Sequence, residues 1–118
     1  MIITSQSVKK AILAALADED MTKILNAVMI QSKSVNSIMR EQNIPYTTVY
    51  RKTKWLLNQA LLVVDRIEIT QDGKKSSLVH ATLQSIAVKY EQNGTIVIEA
   101  EENLEVLKKV MKKFLSME

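Results

Sequence analysis

Apolar residues recur at intervals of three and four along the first half of the chain, and the interval then changes to two. Val8, Ala11, Ile12, Ala15 and Leu16 mark a first helix over 7–17. Met21, Ile24, Leu25, Val28 and Met29 keep the period and predict a second helix over about 19–30. Between them Asp18-Glu19-Asp20 reads as a helix cap in preference to a metal site, because carboxylates favour the positive N-terminal end of a helix. Ser34 suits the N-cap of a third helix with Val35, Ile38 and Met39 on its apolar face. That helix must stop near Asn43, since Asn tolerates the left-handed conformation and Pro45 disfavours helix for the residue before it.

A fourth helix over about 46–59 follows this tight break, completing a helix-turn-helix pattern. At about 100° per residue, Val49, Thr53, Leu56 and Ala60 share one narrow face, suited to packing. Thr47, Arg51, Lys54 and Asn58 share the opposite one. Hydrogen-bonding and cationic side chains of this kind read base edges and phosphates, although an ordinary solvated face has the same composition.

From Leu61 the pattern becomes β-branched and partly alternating, through Val63, Val64, Ile67 and Ile69. Gln71-Asp72-Gly73-Lys74-Lys75 supplies a turn, and a second strand returns over 77–82. Another hairpin follows: Ile86, Val88 and Tyr90 alternate on one strand, Ile96, Ile98 and Ala100 on the other, with Gln92-Asn93-Gly94 between. The chain has two glycines, one at each predicted hairpin tip, where a positive φ is required. The last segment, 101–117, reads as a helix with Leu104, Leu107, Met111 and Phe114 in a heptad-like seam. Glu101, Glu102 and Glu105 are expected in its first turns, ahead of Lys108, Lys109, Lys112 and Lys113.

These elements predict an α+β fold, a winged helix-turn-helix extended by a C-terminal hairpin and a terminal dimerisation helix. At 118 residues the chain is expected to form one domain. Residues 1–83 would be the DNA-binding part, with 84–118 packed onto it. No cysteine is present, which excludes disulfides, thiolate ligands and a thiol nucleophile. No apolar run approaches the roughly 20 residues that span a membrane, and no secretory signal is visible, so a cytoplasmic protein without membrane association is expected.

The net charge of +3 says less than its distribution. Residues 34–60 carry Arg40, Arg51, Lys52 and Lys54 against Glu41 alone, while the flanking segments nearly cancel. The positive excess therefore sits on the helix-turn-helix, which points to nucleic acid.

The order of helices followed by a hairpin resembles the ArsR/MarR-type winged-helix regulators, especially their archaeal members. Leu16-Ala17-Asp18 followed by Lys23-Ile24-Leu25 is similar to the opening of ArsR-type domains. Ser34-Val35, Ile38-Met39, Ile44-Pro45, Thr48-Val49-Tyr50-Arg51-Lys52, Lys54, Leu56 and Ala60-Leu61-Leu62 follow the group's helix-turn-helix pattern. Two glycines common in that pattern are here Asn43 and Ala60.

The resemblance covers about 7–82 and implies duplex DNA binding, with the fourth helix in the major groove. The wing, about 62–82, would lie on the flanking backbone or minor groove. Thr47, Thr48 and Arg51 are the expected base readers, Arg51 towards guanine. Tyr50 would touch a phosphate or a thymine methyl, or simply pack. Lys52 and Lys54 are expected on phosphates, and Lys74 and Lys75 at the wing tip, with Arg66 a further candidate on the wing strand. Dimerisation through the first and last helices would use Val8, Ile12, Leu104, Leu107, Met111 and Phe114, a helix folded back on its own subunit being the alternative.

Metal-sensing members use cysteine or histidine and carboxylate clusters, whereas this chain has no cysteine and only His80, so no metal or cofactor is expected. His80 reads as a packed strand residue rather than a pH switch. Trp55 falls on the outward side of its helix, against the wing, a second subunit or a base. The methionines are expected to fill gaps in the core. Nothing supports catalysis. A winged helix that binds protein within a transcription complex is the alternative function, and a small-molecule effector would require a cavity between the second hairpin and the terminal helix.

Overall fold

The computed structural model describes the backbone of residues 1–115 and the side chains of 1–112. Four helices come first: α1 (Gln6–Ala17), α2 (Glu19–Ala27), α3 (Val35–Gln42) and α4 (Tyr46–Asn58). Two antiparallel hairpins follow, β1 (Leu62–Ile69) with β2 (Lys75–Ala81) and β3 (Leu83–Tyr90) with β4 (Ile96–Glu102), and then α5 (Leu104–Leu115). This is the α+β winged-helix arrangement with the extra hairpin and helix that the pattern predicts.

Local chemistry sets most of the boundaries. Asp18 accepts from the Met21 N–H at 2.9 Å and caps α2, and Ser34 accepts from the Ser37 N–H at 3.1 Å and caps α3. Asn43 ends α3 in the left-handed region, at φ 54°. Gly73 and Gly94 turn the two hairpin tips at φ 80° and 83°. Ile12, Ile24, Val28, Ile38, Val49, Leu56, Leu62 and Ile98 are the largest fully buried side chains, so helices and both hairpins contribute to one core.

Two boundaries differ from the sequence pattern, and in each a long-range pairing displaces a local preference. The second helix stops at Ala27 instead of continuing to 30. The Val28 carbonyl accepts from the Ala81 N–H at 3.0 Å, and Lys33 exchanges both backbone hydrogen bonds with Val79 at 2.9 and 3.0 Å. Segment 28–33 is thereby drawn onto the wing, leaving β2 between Lys33 and β1. Similarly, Glu101 and Glu102 belong to β4, opposite Ser85 and Leu83, so Glu105 is the acid in the first turn of α5. The N-terminus also joins β4: Ile3 N–H donates to Ile98 at 2.9 Å and Ala100 N–H to Met1 at 2.8 Å.

Ala60 carries a cost that the sequence alone does not reveal. The Leu61 N–H reaches the Leu56 carbonyl and the Ala60 N–H reaches Leu57, each at 3.0 Å, closing a Schellman cap on α4. That cap needs the left-handed conformation, and Ala60 adopts φ 59° although it bears a Cβ. Ala60 is exposed, so its methyl offsets little by packing. Ala60→Gly is expected to stabilise the protein by about 1 kcal/mol; equal or lower midpoints in urea denaturation would contradict this account of the cap.

Candidate nucleic-acid interface

The fourth helix is held by its buried face. Val49, Thr53 and Leu56 are buried where α4 packs on α2 and α3. Pro45 begins the helix without a side-chain cap; its carbonyl accepts from the Val49 N–H at 3.0 Å. Ile44, just before it, is buried and anchors the turn. The opposite side carries Thr47, Tyr50, Arg51, Lys54 and Asn58, all exposed, with Thr48 half-buried. Arg51 and Lys54 make no ion pair among the described residues, so both charges face solvent.

Lys52 does not belong to that surface. Its side chain is only 13% exposed, and its ammonium donates to Asp18 at 2.8 and 2.9 Å and to Asp20 at 3.2 Å. A lysine so engaged ties α4 to the start of α2, and the expectation of a phosphate contact is corrected accordingly. The Lys52 hydrogen bond, followed by that of the Met21 N–H, holds the Asp18 carboxyl below the usual carboxylate range. Asp18 in turn raises Lys52. One carboxylate thus caps a helix and positions the next but one.

Tyr46, absent from the sequence-derived candidates, stacks on Tyr50 with ring centroids 6.0 Å apart and planes at 20°. The Lys54 ammonium lies 5.4 Å from the Tyr50 ring centroid. The signal was available in the spacing, because 46, 50 and 54 are one turn apart. Trp55 is half-buried against the core and does not stand outward.

On the wing, Thr70 donates to Asp72 at the tip. Lys74 lies 3.9 Å from Asp72, both exposed. Lys75, opposite Ile69, makes no ion pair among the described residues. Arg66 is engaged with Glu68 at 3.5 Å. The wing tip therefore keeps one unengaged cation, Lys75, and one loosely neutralised, Lys74.

The base of the wing holds a buried polar network that sequence reading missed. A bulge between Val64 and Arg66 turns the Asp65 side chain inward, where it is 5% exposed. Ser32 donates to Asp65 and lies 3.0 Å from His80 Nδ1, while His80 Nε2 lies 3.1 Å from the Met29 carbonyl. Burial alone would raise the Asp65 carboxyl, but hydrogen bonds from Ser32 and Lys109 outweigh it and hold the group low. The hint was an acid, Asp65, directly after the apolar run Leu61-Leu62-Val63-Val64. His80 is packed, as expected, yet it is also fully engaged.

That network fastens α5. Asn103 donates to the Ala81 and Met29 carbonyls at 3.3 Å, Val106 is buried, and Lys109 pairs with Asp65 at 3.2 Å. Leu104 and Met111 remain 56% and 57% exposed, with Leu107 half-buried. Phe114 lies outside the described side chains. Val8 is half-buried, but Ile12 is fully buried within its own core and has no surface to offer a second subunit, a correction to the expected interface. An open groove of about 510 Å³ runs between Gln84 and Ser85 on β3 and Asn103, Glu105 and Val106 at the start of α5.

No protein-family model matches the sequence, and no curated protein is significantly similar to it. Among solved structures, HlyU from Vibrio cholerae N16961 aligns over 95% of each chain at 12% identity, with a TM-score of 0.44.

The Asp18–Lys52 pair has a defined pH signature. A carboxyl whose folded pKa lies below its unfolded value adds stability above that unfolded value and loses it as pH falls through the folded pKa. Asp18→Asn keeps a good N-cap but removes the charge. It is expected to cost on the order of 1 kcal/mol at pH 7, an estimate for a pair with some solvent access. The gap to wild type should close towards pH 2, as read by urea midpoints across pH; a gap that does not change with pH would reject the ion pair as its source.

Proposed function

We propose that this chain is a sequence-specific duplex DNA-binding transcriptional regulator that acts as a homodimer in the cytoplasm. In this reading 46–59 occupies the major groove, and the wing, 62–82, lies on the flanking backbone or minor groove. Residues 1–83 carry the DNA-binding function, and 84–118 support dimerisation. The observation that carries the reading is the fourth helix itself. Its buried face and the Lys52 clamp hold it in place, while Thr47, Tyr50, Arg51, Lys54 and Asn58 are exposed on the opposite side.

Arg51 presents a planar fork of donors suited to the two acceptors of guanine in the major groove. Thr47 and Thr48 stand in the first turn, where base contacts concentrate. Lys54, Lys74 and Lys75 serve phosphates, and Lys52 acts as a positioning residue. The dimer would form through the exposed Leu104 and Met111 with the half-buried Leu107 between them, Phe114 continuing the spacing in the sequence. Val8 would sit at its margin. Two-fold pairing would present two recognition helices to half-sites about 34 Å apart.

A second reading, protein binding, is favoured by one observation: Ile67 and Ile69 on the outer wing strand are 59% and 73% exposed. An edge strand with exposed apolar side chains is a usual place for a partner chain to add. The groove beside α5 is where a small-molecule effector would have room.

Selection from a genomic fragment library at low salt separates the two functions. Selected duplexes should lose affinity steeply with salt through counterion release. Arg51→Ala should cost about 1–3 kcal/mol on the preferred sequence and flatten the preference. Lys74→Ala with Lys75→Ala should weaken all sequences and lower the salt slope by about two for each wing. Recovery of no duplex, together with stoichiometric capture of a protein partner, would replace the first reading with the second. Sedimentation tests the dimer: Leu107→Glu with Met111→Glu should convert it to monomer, and a wild type monomeric at every concentration would remove it.

A further inference from the structure

We propose that Tyr46 and Tyr50 form a reader of pyrimidine 5-methyl groups, so that the preferred duplex carries thymine where these rings meet the major groove. The inference rests on the DNA-binding reading above and adds the chemical group that the helix selects.

Both rings are 47% exposed, whereas Val49 and Leu56 on the same helix are fully buried and Trp55 and Leu57 half-buried. No described residue hydrogen-bonds either hydroxyl; the two rings stack on each other, and the Lys54 ammonium lies over that of Tyr50. The chain therefore displays a stacked aromatic ladder to solvent on the helix it holds most firmly. At about 100° per residue the two tyrosines form one flank of the exposed face, Lys54 and Thr47 its middle, and Arg51 the other flank. The two flanks present different chemistry: an apolar ladder on one side and a guanidinium on the other.

Duplex chemistry leaves the ladder few partners. Base faces are stacked inside the helix, so the rings cannot stack on them. The major-groove edges offer donors and acceptors and one apolar group, the C5-methyl of thymine. A ring body laid on that methyl leaves the hydroxyl at the rim, within reach of backbone, the usual division of a tyrosine between an apolar body and a wet tip. The mutual stack and the cation over Tyr50 restrict both side chains before binding, which reduces the ordering cost.

The rival is a purely polar role in which the hydroxyls bind phosphate and the rings read nothing. Deoxyuridine separates the two, because it differs from thymidine only by the methyl. A duplex selected by the wild-type protein would be remade with uracil replacing one thymine at a time, and its Kd measured. Wild type is expected to lose about fourfold at each thymine whose methyl a ring covers, the value of one buried methyl. Tyr46→Phe with Tyr50→Phe should keep that discrimination, whereas Tyr46→Ala with Tyr50→Ala should bind thymine and uracil duplexes alike.

Equal affinity of wild type for every uracil duplex would overturn the inference while leaving DNA binding intact. Discrimination lost in the Phe pair, or retained in the Ala pair, would overturn it as well. Failure of wild type to select any duplex would remove the DNA-binding reading and this inference together.

Discussion

Burial of one face of α4 is the constraint on which the other features depend. Val49, Thr53 and Leu56 close the helical core, and that fixes which residues can face outward. Lys52 then ties the helix to Asp18 and Asp20 at the start of α2. A helix that packs only by apolar contact can shift by small amounts over its neighbours; charge-assisted hydrogen bonds to two carboxylates at a helix start oppose that shift. The exposed face of α4 therefore owes its orientation to a residue that does not belong to it.

The wing depends on the same logic of displaced local preference. Segment 28–33 carries residues that would extend α2, yet Val28 and Lys33 give their backbone groups to Ala81 and Val79. Two or three helical hydrogen bonds are exchanged for sheet bonds, while Val28 stays fully buried. The exchange places Ser32 beside Asp65 and His80, and that polar network in turn fastens α5 through Asn103 and Lys109. Asp65 and His80 are buried at its centre and its members are joined to one another, which is the condition under which polar groups in a core specify geometry rather than weaken it.

The legible and illegible parts of the fold separate along this line. Period, caps and the two glycines are local signals, and they located the helix-turn-helix and both hairpins. Asn43 announced its left-handed turn because Asn is among the few residues that adopt it readily. Ala60 gave no such notice by its own residue type, only by standing where the resembling pattern carries glycine. Lys52 looked like any other cation on a basic helix because its partners lie 32 and 34 residues away. The same distance hid the role of Asp65, and the pairing of β4 with β3 withdrew Glu101 and Glu102 from a helix that their composition suits. Within the candidate interface, the outward residues were readable from the wheel, but the stacking of Tyr46 on Tyr50 needed the side-chain geometry.

The division of faces on α5 repeats that on α4 with the chemistry reversed. On α4 the apolar face is satisfied internally and polar and aromatic groups are left outside. At and just before α5, Asn103, Val106 and Lys109 are engaged with the chain's own core and wing, and the apolar residues Leu104 and Met111 are left outside. A terminal helix held only by its apolar face would offer a partner charged groups, which contribute little to association. Holding it by a polar network leaves the apolar face available. The polar network thus has a consequence beyond its own stability: it decides that the surface α5 exposes is the kind that a second helix can bury.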